Sequence, residues 1–375
     1  MNKYLKREYL FFVFLVVNLI AENLLFVSIS KLLFYIILSV AVPLIILNYN
    51  TLIKGLVICP YFLFWILIYI TYQFTVGFKY ISIDNINFLL AKITTFCLLV
   101  VCVTKNYNFY FYKIFKPLGY IIIFLILIGW MRTNSLGVVT FGFSNRNAAC
   151  AIGVIGFVCF LFNNIIPNKI DILCLFICAL CILIGGSRNS LAMLVIILLI
   201  RYNISLKMIY RFICILFMLF AMIHLTNIQL LAIDRTIKTF QGTISLDREI
   251  ARKAALWMIS QHPWDGNGFK FDNNGIASDL TMLGSHNGYI DIVESMGYGF
   301  GGAWLITLAV GIISIMSLLG NYDLNIKAHL AIIISVLFAA NQEAFLPGVN
   351  QIVTNMFFLS FYILNVYINE KHLKI

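Results

Sequence analysis

The sequence predicts an all-α integral membrane protein with about twelve transmembrane helices and one long extracytoplasmic loop. Three observations carry that expectation. Of 375 residues, 62% are hydrophobic and only 11% are charged. A soluble chain carries about 25% charged residues, so a water-facing shell cannot be assembled here. Mean hydropathy is +0.97, and the apolar residues fall in runs close to the roughly 20 that a helix needs to cross a bilayer core.

Those runs place spans near 9–27, 32–48, 55–73, 87–103, 117–131, 147–162, 170–185, 189–200, 211–227, 288–318, 328–342 and 350–368, all within one polytopic domain, 1–375. The 170–200 stretch admits either two helices or one kinked element, because Gly185-Gly186-Ser187-Arg188-Asn189 interrupts it. The 288–318 stretch is too long for one straight span and is expected to begin as an interfacial helix. Met1 through Arg7 and the run after them resemble a signal peptide. No small-residue cleavage site follows, so an uncleaved first helix is expected. Lys54, Lys105, Lys113, Lys116, Lys169, Arg201, Lys207, Arg211, Lys327, Lys371 and Lys374 all fall on one side of this scheme. The positive-inside rule then puts both termini in the cytoplasm and the loop 228–287 outside.

The same topology absorbs the net charge of +11, which on a soluble protein would suggest a nucleic-acid partner. The nine cysteines sit in or beside apolar runs and are read as small embedded hydrophobes. Cys174, Cys178 and Cys181 share a helical face with no His or carboxylate, which argues against a metal. No phosphate-binding glycine loop, zinc-binding His pair or nucleophile elbow is present. Nor is there the paired-half repeat of a secondary transporter. Neither cofactor nor metal is expected.

Four polar clusters fall on the outer side. They are Gly142-Phe143-Ser144-Asn145-Arg146-Asn147, then Gly185 to Ser190, then Arg235, Lys238, Asp247-Arg248-Glu249, Arg252-Lys253 and His262 to Gly268, and finally Ser285-His286-Asn287-Gly288 running into Glu294 and Gly297. An arginine beside apolar segments is expensive unless it faces a partner or a wet cavity, which singles out Arg188; snorkelling to the interface is the alternative. Arg146 opens a helix, where the dipole and free N–H groups favour an anion. Arg248 and Arg252 share a face if 244–261 is helical, and Ala254 to Ile259 make that helix amphipathic, suited to lying on the membrane. There the arginines would meet a substrate, or else touch lipid headgroups or pair with Asp247 and Glu249. His286, Ile290, Glu294 and Gly297 follow helical spacing, so a carboxylate is expected two turns from the imidazole. Several guanidiniums without a metal-ligand cluster suit a phosphate- or pyrophosphate-bearing amphiphile.

In this order the motifs resemble the O-antigen ligase/polymerase family, membrane glycosyltransferases of GT-C-like architecture. The resemblance rests on Arg248, Pro263-Trp264-Asp265-Gly266-Asn267-Gly268, His286-Asn287-Gly288-Tyr289-Ile290, Glu294, Gly297, Asn145-Arg146-Asn147 and Ser187-Arg188, and it covers about 140–300. Asp247 departs from the Gly often found before the Arg, and Trp257 departs from the expected Trp spacing. The resemblance implies transfer of an oligosaccharide from an undecaprenyl-pyrophosphate donor to an acceptor hydroxyl. It implies catalytic roles for His286, Arg188 and Arg248, and substrate contacts from Arg146, Asn147, Arg252, Asn287 and Glu294. His262 is the alternative base. Polymerisation of lipid-linked repeat units into O-antigen or capsule is the expected reaction. Ligation of the glycan to the lipid A-core of lipopolysaccharide and transport of the lipid-linked glycan remain as alternatives. The implied partners are the lipid-linked donor and acceptor, the bilayer of a bacterial inner membrane and a chain-length regulator.

Overall fold

A computed structural model describes residues 7–21, 27–133, 140–141, 143, 146–203, 246–269, 285–348 and 351–373. Among them every extended regular element is a helix. The expected span 211–227, the loop residues Arg235 and Lys238, Asn145 of the first polar cluster and the side chain of Arg248 lie outside the described residues.

The helices are α1 (Leu10–Ala21), α2 (Val27–Leu47), α3 (Tyr49–Ile58), α4 (Pro60–Phe74), α5 (Ile83–Lys105), α6 (Phe115–Thr133), α7 (Arg146–Leu161), α8 (Lys169–Gly185), α9 (Arg188–Tyr202), α10 (Leu246–Gln261), α11 (Gly288–Met316), α12 (Leu324–Ala339) and α13 (Ile352–Leu373). Among the described residues three stretches are long and apolar enough to cross a membrane: Asn85–Lys105, Gly288–Met316 and Ile352–Asn369. Shorter apolar helices, α1, α4, α6, α7 and α12 among them, make up much of the rest.

The expected span 32–48 falls on α2, whereas 55–73 is corrected, being divided between α3 and α4. Asn48 leaves helical geometry (φ −122°, ψ 28°), and the chain bends by 87° between α2 and α3. A second break comes at Cys59-Pro60, where the proline opens α4 at a position whose N–H would have no partner anyway. The 170–200 stretch resolves as two helices. Gly186 adopts φ +69° and ends α8, and the Ser187 hydroxyl caps α9 by accepting from the Ser190 N–H. The expected span 328–342 is also corrected: α12 starts at Leu324 and stops at Ala339, leaving Asn341 and Gln342 exposed beyond it.

The interior is built by close helix approach. Cys150, Cys159, Cys174, Cys178 and Cys181 are buried, in keeping with their reading as small hydrophobes. A Cβ at Gly156 would stand 2.9 Å from the Cys178 sulfur, so glycine lets α7 and α8 meet. Farther across the bundle, Trp65 stacks on Trp304 with centroids 5.1 Å apart, and Phe62, Phe96 and Phe358 close the same cluster.

Candidate functional site

The sequence places α10 correctly as a helix, but its apolar side is divided. Ala251, Ala255 and Ile259, one turn apart, are buried in the contact with α11, whereas Leu256 and Trp257 are exposed. After α10 the chain turns through Pro263–Gly268 and docks on the first half of α11. Asn267 N–H donates to the Glu294 carbonyl at 2.9 Å, Gly268 N–H to Ser295 O at 3.0 Å, and Tyr298 N–H to Pro263 O at 2.7 Å. Tyr72 joins from α4, its hydroxyl 2.7 Å from Ser295 O and 3.0 Å from Asp265 O. Lys79 pairs with the Asp265 carboxylate and holds it below the ordinary carboxylate range.

This docking explains two glycines. Gly297 breaks α11 at φ +71°, and a Cβ there would lie 2.4 Å from Trp264 O. Gly266, at φ +62°, would put its Cβ 2.4 Å from Ser295 O. Each backbone occupies the space that the other's side chain would need. The long helix therefore begins as a separate short segment, as its length requires.

Four helices meet at the C-terminal end of α12, where the N–H groups of a following helical turn run out. Tyr289 Oη donates to Leu337 O at 2.8 Å, Asn189 Nδ2 to Ala339 O at 3.1 Å, and Gly288 N–H to Ala340 O at 2.8 Å. Asn341 O receives both Asn287 Nδ2 and Arg252 Nη2, each at 3.2 Å. Polar donors from α9, α10 and α11 thus cap α12 in place of water. Asn287 also caps its own helix, its Oδ1 accepting from the Tyr289 and Ile290 N–H groups at 3.0 and 3.1 Å.

Beyond that end stands Glu343, which the sequence reading missed. Its Oε1 accepts from Asn147 Nδ2 at 2.9 Å, and its Oε2 lies 3.9 Å from His286 Nδ1. The signal was available: Asn341-Gln342-Glu343 is a polar triplet inside an apolar stretch, in a chain with only 15 acidic residues. His286 itself precedes α11, at φ +51°. The helical spacing to Glu294 therefore does not describe it, and among the described residues Glu343 is the carboxylate within ion-pairing distance of the imidazole. Glu294 is buried one turn before the Gly297 break. The Ser285 hydroxyl is bonded to the Asp291 carboxylate and to Asn287 O, fixing the chain on either side of His286.

Of the remaining sequence candidates, Arg146 and Arg188 are the first residues of α7 and α9, both half-buried. Cys150, one turn into α7, has its sulfur beside the Ser187 backbone at the start of α9, so the two arginine-bearing termini are neighbours. Arg252 is exposed, and Arg248 lies one turn earlier along α10. His262 is set apart from this group: its Nδ1 is 3.7 Å from Asp265, on the Lys79 side. Among the described residues no cluster of His, Cys, Asp or Glu could hold a metal ion.

Three helix N-termini, those of α7, α9 and α11, thus gather at one end of the bundle. Each presents the positive end of a peptide dipole, and arginines stand on two of them. The arrangement can hold a multiply charged anion beside an imidazole already engaged by a carboxylate. No protein-family model matches the chain, and no curated protein matches it.

Proposed function

We propose that this chain is a membrane glycosyltransferase that polymerises undecaprenyl-pyrophosphate-linked repeat units on the outer face of a bacterial cytoplasmic membrane. On this reading it has about twelve spans in a GT-C-like arrangement, both termini are cytoplasmic, and 228–287 is outside. The observation that carries the reading is the gathering of Arg146, Arg188, Arg252, His286 and Glu343 around the end of α12.

The chemistry follows from those groups. As the glycosidic bond breaks, its electron pair goes to the pyrophosphate, and the growing charge is met by fixed guanidinium groups and helix N-termini, with no reorganisation at the moment of reaction. Arg188 and Arg248 are assigned to the pyrophosphate, with Arg146, Asn147, Asn287 and Arg252 beside them. His286 takes the proton of the acceptor hydroxyl as the new bond forms. Glu343 orients the imidazole and stabilises the imidazolium, and the main-chain carbonyl of Glu294 holds the docked turn through Asn267. The leaving group needs no metal to neutralise it, because the arginines supply the charge.

The test is reconstitution of the purified chain with a synthetic undecaprenyl-pyrophosphate repeat unit, with product sizing in excess EDTA. A ladder of products spaced by one repeat unit is expected. Donor that stays unextended, or extension that requires added magnesium or manganese, would overturn the proposal.

A further inference from the structure

Lys92 sits on α5 inside the candidate span Asn85–Lys105 and is 1% exposed. Among the described residues no carboxylate pairs with it. Its ammonium instead donates to Gly348 O at 2.8 Å and approaches Pro347 O at 3.3 Å. The rings of Phe358 and Phe96 flank it, 4.7 and 5.2 Å from the nitrogen. A cation within a membrane span is expensive and is kept where it does a task. Two backbone carbonyls and two ring faces are partners that any well-placed donor could use, so the significance lies in what those carbonyls belong to.

They belong to the far end of the turn that carries Glu343. The near end of that turn is fixed by Gly288 N–H, which reaches Glu343 O at 3.2 Å. Within the turn, Phe345 N–H bonds Glu343 O at 2.9 Å, Leu346 is buried, and the Thr354 hydroxyl bonds Phe345 O. Without Lys92, the carbonyls of Pro347 and Gly348 would lose the donor that reaches them from α5. We propose that Lys92 is a positioning residue that holds the 341–348 turn at the place where Glu343 meets both Asn147 and His286. The geometric part stands by itself; its consequence for turnover rests on the glycosyltransferase reading.

Two readouts separate these parts. In a chain with its nine native cysteines replaced, Asn147→Cys and Glu343→Cys report the turn's position by cross-linking, which needs no catalysis. Adding Lys92→Met should lower the cross-linking yield about fivefold or more at unchanged protein level. In the otherwise native chain, Lys92→Met should lower kcat by about 10- to 100-fold, the size expected for a small misplacement, with KM for the lipid-linked donor nearly unchanged. Lys92→Arg, which keeps the charge and the donors, should restore most of both signals. If Lys92→Met fails to accumulate, Lys92→Gln decides on the same readouts. Wild-type cross-linking yield in the folded Met or Gln variant overturns the positioning role, whatever reaction the chain performs. A lowered yield with wild-type kcat overturns the link from the turn to catalysis.

Discussion

The two ends of the helix bundle hold the same residue types and use them in opposite ways. At one end Arg201 is spent on backbone: its guanidinium donates to Leu161, Asn164 and Ile165 carbonyls at 3.1, 3.0 and 2.7 Å, closing the C-terminus of α7. His329, near that end, has no exposed surface, with Phe115 4.8 Å from its ring and the Ser360 hydroxyl 3.0 Å from Nδ1. At the other end Arg252 gives one bond to Asn341 O and remains exposed, and the His286 side chain is 30% exposed beside Glu343. An arginine or histidine keeps exposed surface where amides and hydroxyls carry most of the capping. Asn189, Asn287 and Tyr289 do that capping around α12.

The largest expected contrast is between the histidines. His286→Ala should lower turnover by about 10²–10⁴, the range for losing a general base, while donor binding stays nearly intact. Glu343→Gln should cost about 10-fold or more, because the amide keeps the shape and loses the charge facing the imidazole. His329→Leu should leave turnover per folded molecule within about twofold. Steady-state polymer formation by each purified variant, normalised to folded protein, checks all three. An active His286→Ala chain, or an inactive but folded His329→Leu chain, would break the comparison.

A smaller effect separates two glycines of α11. Gly297→Ala forces a side chain into φ +71° and against Trp264 O, whereas a Cβ at Gly302 meets nothing within 4 Å. Backbone strain of this kind costs about 1–3 kcal/mol, so Gly297→Ala should lower the detergent-solubilised melting temperature by several degrees. Gly302→Ala should leave it unchanged or raise it slightly, since alanine is the better helix former. Equal melting temperatures for the two variants would remove the steric argument for the docked turn.

Much of this molecule could be read directly from the chain, for identifiable reasons. Hydrophobic runs report burial, so the all-helical class and the positions of most apolar helices follow from them. Gly186 and Ser187 are a helix stop beside a helix cap, so the 170–200 interruption is visible as a boundary. Gly297 and the Gly266–Gly268 turn could each be singled out by composition, but their mutual fit depends on the docking of the turn at the helix break. What escaped were partners brought together by tertiary packing alone. Glu343 lies 57 residues beyond His286, and a run-length rule absorbed its neighbours Asn341 and Gln342 into a span. Lys92 was hidden for the same reason, as one cation within an otherwise apolar run. The His286–Glu294 spacing misled because it assumes that the helix has already begun, whereas the backbone at His286 is left-handed and Asn287 is the cap.

The most direct test of the central assignment, that a lipid pyrophosphate is held at the α12 end, is equilibrium binding of a labelled undecaprenyl-pyrophosphate repeat unit to purified variants. Arg188→Lys should bind about 10-fold or more weakly than the native chain, because an ammonium cannot reproduce the planar, bidentate fork. Arg201→Lys, altered at the opposite end, should bind like the native chain once folding is matched. Native affinity in Arg188→Lys together with weakened binding in Arg201→Lys would place the lipid at the wrong end and contradict the assignment.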